Sequence, residues 1–121
     1  MNEVAAVQKV RQELGDLFGR LGHNWDGNGA SAPARHLYAA GETLMCKLLR
    51  PEDQAPSVVP LAQGGVQFEW SVDGRELEIE VLGTDRFEVF YEDCDHEVEG
   101  VMTFRDLSRM ADLISRLRST L

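Results

Sequence analysis

Cysteine is scarce: only Cys46 and Cys94 occur in 121 residues. Secreted domains of this size commonly rely on several disulfide pairs, so two thiols suit a reducing cytoplasm better. Long apolar runs are missing as well. No stretch approaches the ~18 uninterrupted apolar residues that a membrane-spanning helix needs. The opening Met1-Asn2-Glu3-Val4 lacks a basic run followed by an apolar one, so no secretory leader is expected. Positive charge is in deficit. Twelve Lys+Arg stand against 21 Asp+Glu, giving a formal net charge of −9 and a pI near 4.7. Such a balance repels nucleic acid and anionic membranes, and neither is an expected direct partner. There is no internal repeat and no low-complexity segment. What remains is ordinary: 43% hydrophobic and 27% charged residues describe a single folded domain spanning residues 1–121.

Apolar spacing predicts a helix over residues 3–21, because Val7, Val10, Leu14, Leu17 and Leu21 recur every three or four positions. Gly22 is placed to end it as a left-handed cap. Gly15 and Gly19 weaken it by about 1 kcal/mol each and are expected to admit a close neighbour. Residues 22–32 are rich in Gly, Asn and Asp and read as a loop, which Trp25 is expected to anchor against the core. A second helix is expected over 33–49, with Pro33 in its first turn and Leu37, Leu44, Met45, Leu48 and Leu49 on its apolar face. Pro51 stops it, and residues 51–57 form a short linker to the strands.

The period then changes from helical to alternating. Val66, Phe68 and Trp70, then Leu77, Ile79 and Val81, then Phe87, Val89 and Tyr91 alternate with polar or outward-facing residues. Asp73-Gly74 is a hairpin signal, and Gly83-Thr84-Asp85 turns the second run into the third. Residues 97–104 predict a further strand. Val58-Val59-Pro60-Leu61 predicts an edge strand, where proline is tolerated. Thr103 and Asp106 resemble a capping box before a last helix carried by Leu107, Met110, Ile114, Leu117 and Leu121. The fold class is α+β: an antiparallel four- to five-stranded meander packed against two N-terminal helices and one C-terminal helix.

Charge follows the same boundaries. Residues 65–100 hold 12 carboxylates against Arg75 and Arg86, so the meander carries the whole negative balance. If Leu77, Ile79 and Val81 face the helices, then Glu76, Glu78 and Glu80 face outward, with Glu69 and Glu88 beside them. Like charges on adjacent strands repel. One reading is a solvated face that keeps the domain soluble. The sharper reading makes these five residues a docking face for a basic protein surface, such as a nucleic-acid-binding protein whose phosphates they imitate.

Catalytic patterns are weak. Asp93-Cys94-Asp95-His96 puts potential ligands in a row, but neighbours at a strand end diverge, and a turn is expected rather than a metal site. Asp26-Gly27-Asn28-Gly29 resembles the opening of a calcium loop, yet its twelfth position is Leu37 instead of a glutamate. No nucleophile elbow or phosphate loop is present. Cys46 is expected to be a buried structural thiol. No catalytic residue, metal or cofactor is expected.

Two stretches resemble a known group. Asn24-Trp25-Asp26-Gly27-Asn28-Gly29-Ala30, followed by a proline-started helix, and Gly64-Gly65-Val66-Gln67-Phe68-Glu69-Trp70, followed by Glu76-Leu77-Glu78-Ile79-Glu80, are similar to small bacterial and phage-borne proteins with a W-D-G-x-G-A loop and a G-G-V-x-x-E-W strand. The resemblance spans roughly residues 22–82. It implies a mobile-element or defence setting, with Trp25 and Trp70 as paired structural anchors and Asp26 tying the loop.

Three functions are consistent with these features. The favoured one is a non-catalytic, cytoplasmic inhibitor or neutraliser of the antitoxin, immunity-protein or anti-CRISPR kind. Another is a homo-oligomeric adaptor, in which surplus apolar stripes on the first and last helices, or Arg105, Arg109 and Arg116, meet a second copy. The last is a small metal-dependent hydrolase using His23, Asp26 or His96.

Overall fold

A computed structural model describes residues 4–118. The chain runs through α1 (Ala5–Arg20), α2 (Arg35–Leu48), β1 (Ser57–Pro60), β2 (Val66–Val72), β3 (Arg75–Gly83), β4 (Arg86–Glu92), β5 (Glu97–Met102), a 3-10 turn at Phe104–Asp106 and α3 (Leu107–Leu117). The strands form one antiparallel sheet in the order β1-β2-β3-β4-β5, so each pairs with its sequence neighbour. The expected α+β architecture is present, with the optional fifth strand included. Glu3 and Leu121, assigned to the terminal helices from their sequence, lie outside the described residues.

Alternation decides which face is covered. Val66, Phe68, Trp70, Leu77, Ile79, Val81, Phe87, Val89, Tyr91 and Met102 are buried beneath the helices. The helices answer with Val7, Val10, Leu14 and Leu17 from α1, Tyr38, Leu44, Met45 and Leu48 from α2, and Met110, Leu113, Ile114 and Leu117 from α3. Each large side chain buried this way contributes roughly 1.5–3 kcal/mol. α2 lies over β2 and β3 and touches both α1 and α3. It approaches closely because Gly41 has no side chain: a Cβ there would stand 2.9 Å from Cζ of the Phe68 ring and 3.4 Å from Val81.

Local signals explain the connections. Asp73 (φ 49°) and Gly74 (φ 81°) make the tight turn between Val72 and Arg75, with the two positive φ angles that a type I′ hairpin turn requires. The Thr103–Asp106 capping box forms: Thr103 Oγ1 accepts from the Arg105 amide, and Asp106 Oδ2 accepts from the Thr103 amide. Arg118 fastens the end of α3, its Nη1 lying 3.0 Å from Glu52 and its Nε 3.6 Å from the buried Asp53.

Several expectations are corrected. Gly22 is not a left-handed cap; α1 ends at Leu21, which is extended (φ −90°, ψ 128°) while its amide still donates to Leu17 O. Leu21 is half-buried against the core, and that packing sets the exit direction. Gly15 and Gly19 admit no close neighbour, since nothing lies within 4 Å of a Cβ at either. Pro33 precedes α2 by two residues instead of sitting in its first turn. The apolar stripes of α1 and α3 are largely buried against the sheet, with Phe18, Leu21 and Leu107 only partly so. Among the described residues the exposed large hydrophobic is Val101, at 51%.

Candidate functional site

No helix among the described residues covers the sheet's other face. Register sets its residues in three rows. Val59, Gln67, Glu80, Glu88 and Val101 form the first row, and Ser57, Glu69, Glu78, Phe90 and Glu99 the second. Ser71, Glu76, Glu92 and Glu97 form the third. Neighbours in a row stand ~4.5–5.5 Å apart at Cβ, and rows are about 6.7 Å apart. All five glutamates singled out from the sequence (Glu69, Glu76, Glu78, Glu80 and Glu88) lie here. Glu92, Glu97 and Glu99 extend the face to eight carboxylates.

Four glutamate pairs are directly opposed across strands: Glu69–Glu78, Glu76–Glu92, Glu80–Glu88 and Glu92–Glu97. Among the described residues, no ion pair joins a glutamate of this face to a Lys or Arg. Arg75 turns to the helix side, where its Nη1 donates to Arg116 O at 3.0 Å and to Arg118 O at 3.3 Å. Relief comes from neutral donors only. Gln67 Nε2 donates to Glu69 at 2.7 Å, Ser71 Oγ to Glu76 at 3.1 Å, and Gln63 Nε2 to Glu80 at 3.2 Å. Glu78 is half-buried on this face. Partial burial, and then the charges of Glu69 and Glu76, raise its pKa above the ordinary carboxylate value.

Phe90 was not singled out from the sequence, although alternation already placed it outward with Glu88 and Glu92. It is half-buried and lines a shallow depression of about 280 Å³ together with Gln67, Glu78, Glu80, Glu88 and Glu99. An aromatic side chain thus stands inside a ring of carboxylates. Such a combination suits a guanidinium, which stacks on rings and pairs with carboxylates.

The loop motifs serve structure. Asn24 (φ 63°), Gly27 (φ 76°) and Gly29 (φ 85°) bend the chain back on itself. Asp26 Oδ1 accepts from the amides of Asn28 (2.8 Å) and Ala30 (3.1 Å), and these bonds, Asn28's first, lower its pKa. Trp25 is not buried in the core; its indole closes the loop by donating to Ser31 O at 2.9 Å. Trp70 is buried and donates to Gln54 O at 2.8 Å. The two indoles therefore anchor different segments and are not a stacked pair. The two motifs nevertheless meet, because Ser31 donates to Ala62 O and Ala34 to Gly64 O. Gly64 (φ 96°) is needed at that junction, where a Cβ would stand 2.9 Å from Ala32 O.

The chemistry-bearing residues are dispersed. His23 and Asp26 belong to the loop after α1, and His96 to the turn between β4 and β5. Asp93, Cys94 and Asp95 can bring ligand atoms within 4.8 Å of one another. However, Asp93 already accepts from Tyr91 OH at 2.6 Å and from the Asp95 and His96 amides at 2.7 Å each. These bonds, Tyr91's foremost, hold its pKa at about 2, while desolvation first and then Asp93 push the Tyr91 phenol up to about 12. The group is a hydrogen-bonded turn. Cys46 is exposed, contrary to expectation, because it falls off the buried stripe of α2; its Sγ accepts from Arg11 Nη2 at 3.2 Å. Arg105, Arg109 and Arg116 are exposed on α3. No helix among the described residues is long and apolar enough to cross a membrane. Comparison with known protein families, with curated proteins and with solved structures finds no match.

Proposed function

We propose that this is a non-catalytic binding protein that inhibits or neutralises a basic partner protein through the uncovered face of its sheet. One observation carries the reading: four opposed glutamate pairs with no cation among the described residues to balance them. A sheet that needs only solubility gains nothing by setting like charges opposite one another, which costs stability. A cationic surface supplies the missing counter-charge on binding, with fast, salt-sensitive association. A row of carboxylates at regular spacing matches a surface that otherwise holds phosphates. The partner we favour is accordingly a nucleic-acid-binding protein. The setting is a cytoplasmic one of the antitoxin, immunity-protein or anti-CRISPR kind, in line with the resemblance of the loop and strand motifs.

The test compares wild type with a Glu76→Lys, Glu78→Lys, Glu80→Lys variant as bait in extracts of the source cell. The bound protein should be basic, should be released as salt rises, and should be displaced by nucleic acid. The variant should retain none of it while remaining folded by circular dichroism. Equal retention by the variant at low salt excludes this face. A wild-type bait that captures nothing and behaves as a concentration-independent dimer in light scattering favours self-association instead.

A further inference from the structure

The two edges of the sheet are finished differently. β1, at one end, is four residues long, closes on Pro60, which has no N–H to offer, and touches α1. Short strands, proline and a covering element are the usual protection of an edge against other chains. β5, at the other end, has six residues in unbroken register with β4 and contains neither proline nor lysine. No strand lies beyond it among the described residues.

The last hairpin fixes which backbone groups this edge presents. The Asp93 amide donates to His96 O at 2.9 Å, so these two residues form a hydrogen-bonded pair. Such pairs alternate with non-hydrogen-bonded ones along an antiparallel ladder. Val98, Gly100 and Met102 therefore bond to Tyr91, Val89 and Phe87, and the N–H and C=O groups of Glu97, Glu99 and Val101 turn away from β4. No turn, cap or loop bond among the described residues uses them.

Side chains decide what can pair there. Glu97, Glu99 and Val101 are exposed on the acidic face. On the helix side Val98 is half-buried against the core, and Gly100 leaves open space, with nothing within 4 Å of a Cβ. A second copy pairing edge to edge would set its own acidic face beside this one, and like charges oppose that. A strand with cations on one face and apolar side chains on the other is suited to both sides. Its cations meet Glu97 and Glu99, and its apolar side chains cover Val98 and the space at Gly100.

We propose that β5 takes an extended segment of the partner, with alternating basic and apolar residues, as a further antiparallel strand of the sheet. This rests on the reading of the acidic face as the docking surface for a basic protein, and it adds how that protein is held. Main-chain bonds to Glu97, Glu99 and Val101 supply affinity, and the alternation of side chains supplies selectivity.

The probe is a capped heptapeptide of alternating lysine and valine, added to the full chain at low salt and followed by amide chemical shifts and titration calorimetry. With its lysines opposite Glu97 and Glu99 in an antiparallel pair, its lysine amides face β5 and its valine amides face solvent. Binding should saturate, shift residues 97–102 most, and slow exchange of the Glu97, Glu99 and Val101 amides. N-methylation of the lysine amides keeps the charge but removes the bonds to β5, and should weaken binding at least ~10-fold. N-methylation of the valine amides should leave it within about 2-fold. Val101→Pro should weaken the parent peptide in a folded protein, because that N–H bonds to nothing in the sheet and proline is tolerated at an edge. A peptide with glutamate in place of lysine should not bind. Equal binding of the parent and lysine-methylated peptides overturns the proposal, as does full binding by Val101→Pro. If the shifts then lie over β3, the acidic face stands without the edge. Absence of binding by every peptide overturns the edge and the charged face together.

Discussion

Replacing Glu76, Glu78 and Glu80 by glutamine keeps the shape of β3 and removes its charge. Three of the four opposed pairs then disappear: Glu76–Glu92, Glu78–Glu69 and Glu80–Glu88. Cross-strand charge pairs are worth ~0.2–1 kcal/mol each, so their loss should stabilise the fold by about 0.6–3 kcal/mol at low ionic strength. The amide oxygens still accept from Ser71 and Gln63, so those hydrogen bonds survive. Salt separates this effect from any change in packing. At about 0.01 M salt the Debye length is ~30 Å and the repulsion is fully felt; at about 1 M it is ~3 Å, shorter than the separation of the pairs. Unfolding should be followed in urea, which adds no ions. With a denaturant slope near ~2 kcal/mol/M, the midpoint should rise by about 0.3–1.5 M at low salt and by much less at high salt. A variant no more stable than wild type, or equally stabilised at both salts, would refute the view that this face opposes the fold that carries it. A stabilised variant that also loses its partner shows charge retained at the expense of stability, as binding surfaces often require.

Other outcomes depend on single positions. Gly41→Ala should destabilise the fold by about 1–3 kcal/mol through overpacking on Phe68, less the ~1 kcal/mol gained in helix propensity. Adding Phe68→Leu should recover part of that loss, and additivity of the two changes would refute the contact. Gly64→Ala should cost about 1–3 kcal/mol, because φ is positive and Ala32 O is backbone. The Ser31 and Ala34 amides should then exchange faster with solvent. In a pH titration two groups act in opposite directions. The raised pKa of Glu78 means that its charge destabilises the folded state at neutral pH, so stability should rise as pH falls toward its ordinary value of 4.5. The depressed pKa of Asp93 means that its contribution is present above 3.8 and is lost as pH falls from there to about 2. Glu78→Gln should flatten the first limb, and Asp93→Asn should remove the second.

Much of the fold and of the acidic face is legible in the sequence, and the reason is periodicity. Alternation over Val66–Trp70, Leu77–Val81 and Phe87–Tyr91 determines which side chains go under the helices, and so where the glutamates must point. What stays hidden depends on neighbours distant in the chain. Gly15 and Gly41 look alike in sequence, yet one opens onto a groove and the other meets Phe68. Cys46 sits among Leu44, Met45 and Leu48, but a single helical step of about 100° carries it off the buried stripe into solvent. The Gly22 cap fails because Leu21 prefers the core to a tight turn. Alternation with Leu77 puts Arg75 on the helix side, but its acceptors, the carbonyls at the end of α3, lie some forty residues away and carry no local signal.

The rows of carboxylates cross the strands instead of running along them. A peptide copying β3 would display Glu76, Glu78 and Glu80 as one column and nothing on either side. The carboxylates of the second row alone come from β2, β3 and β5. Fragments and unfolded chains therefore lack the surface altogether, and a partner that reads it recognises only molecules in which the last hairpin has closed.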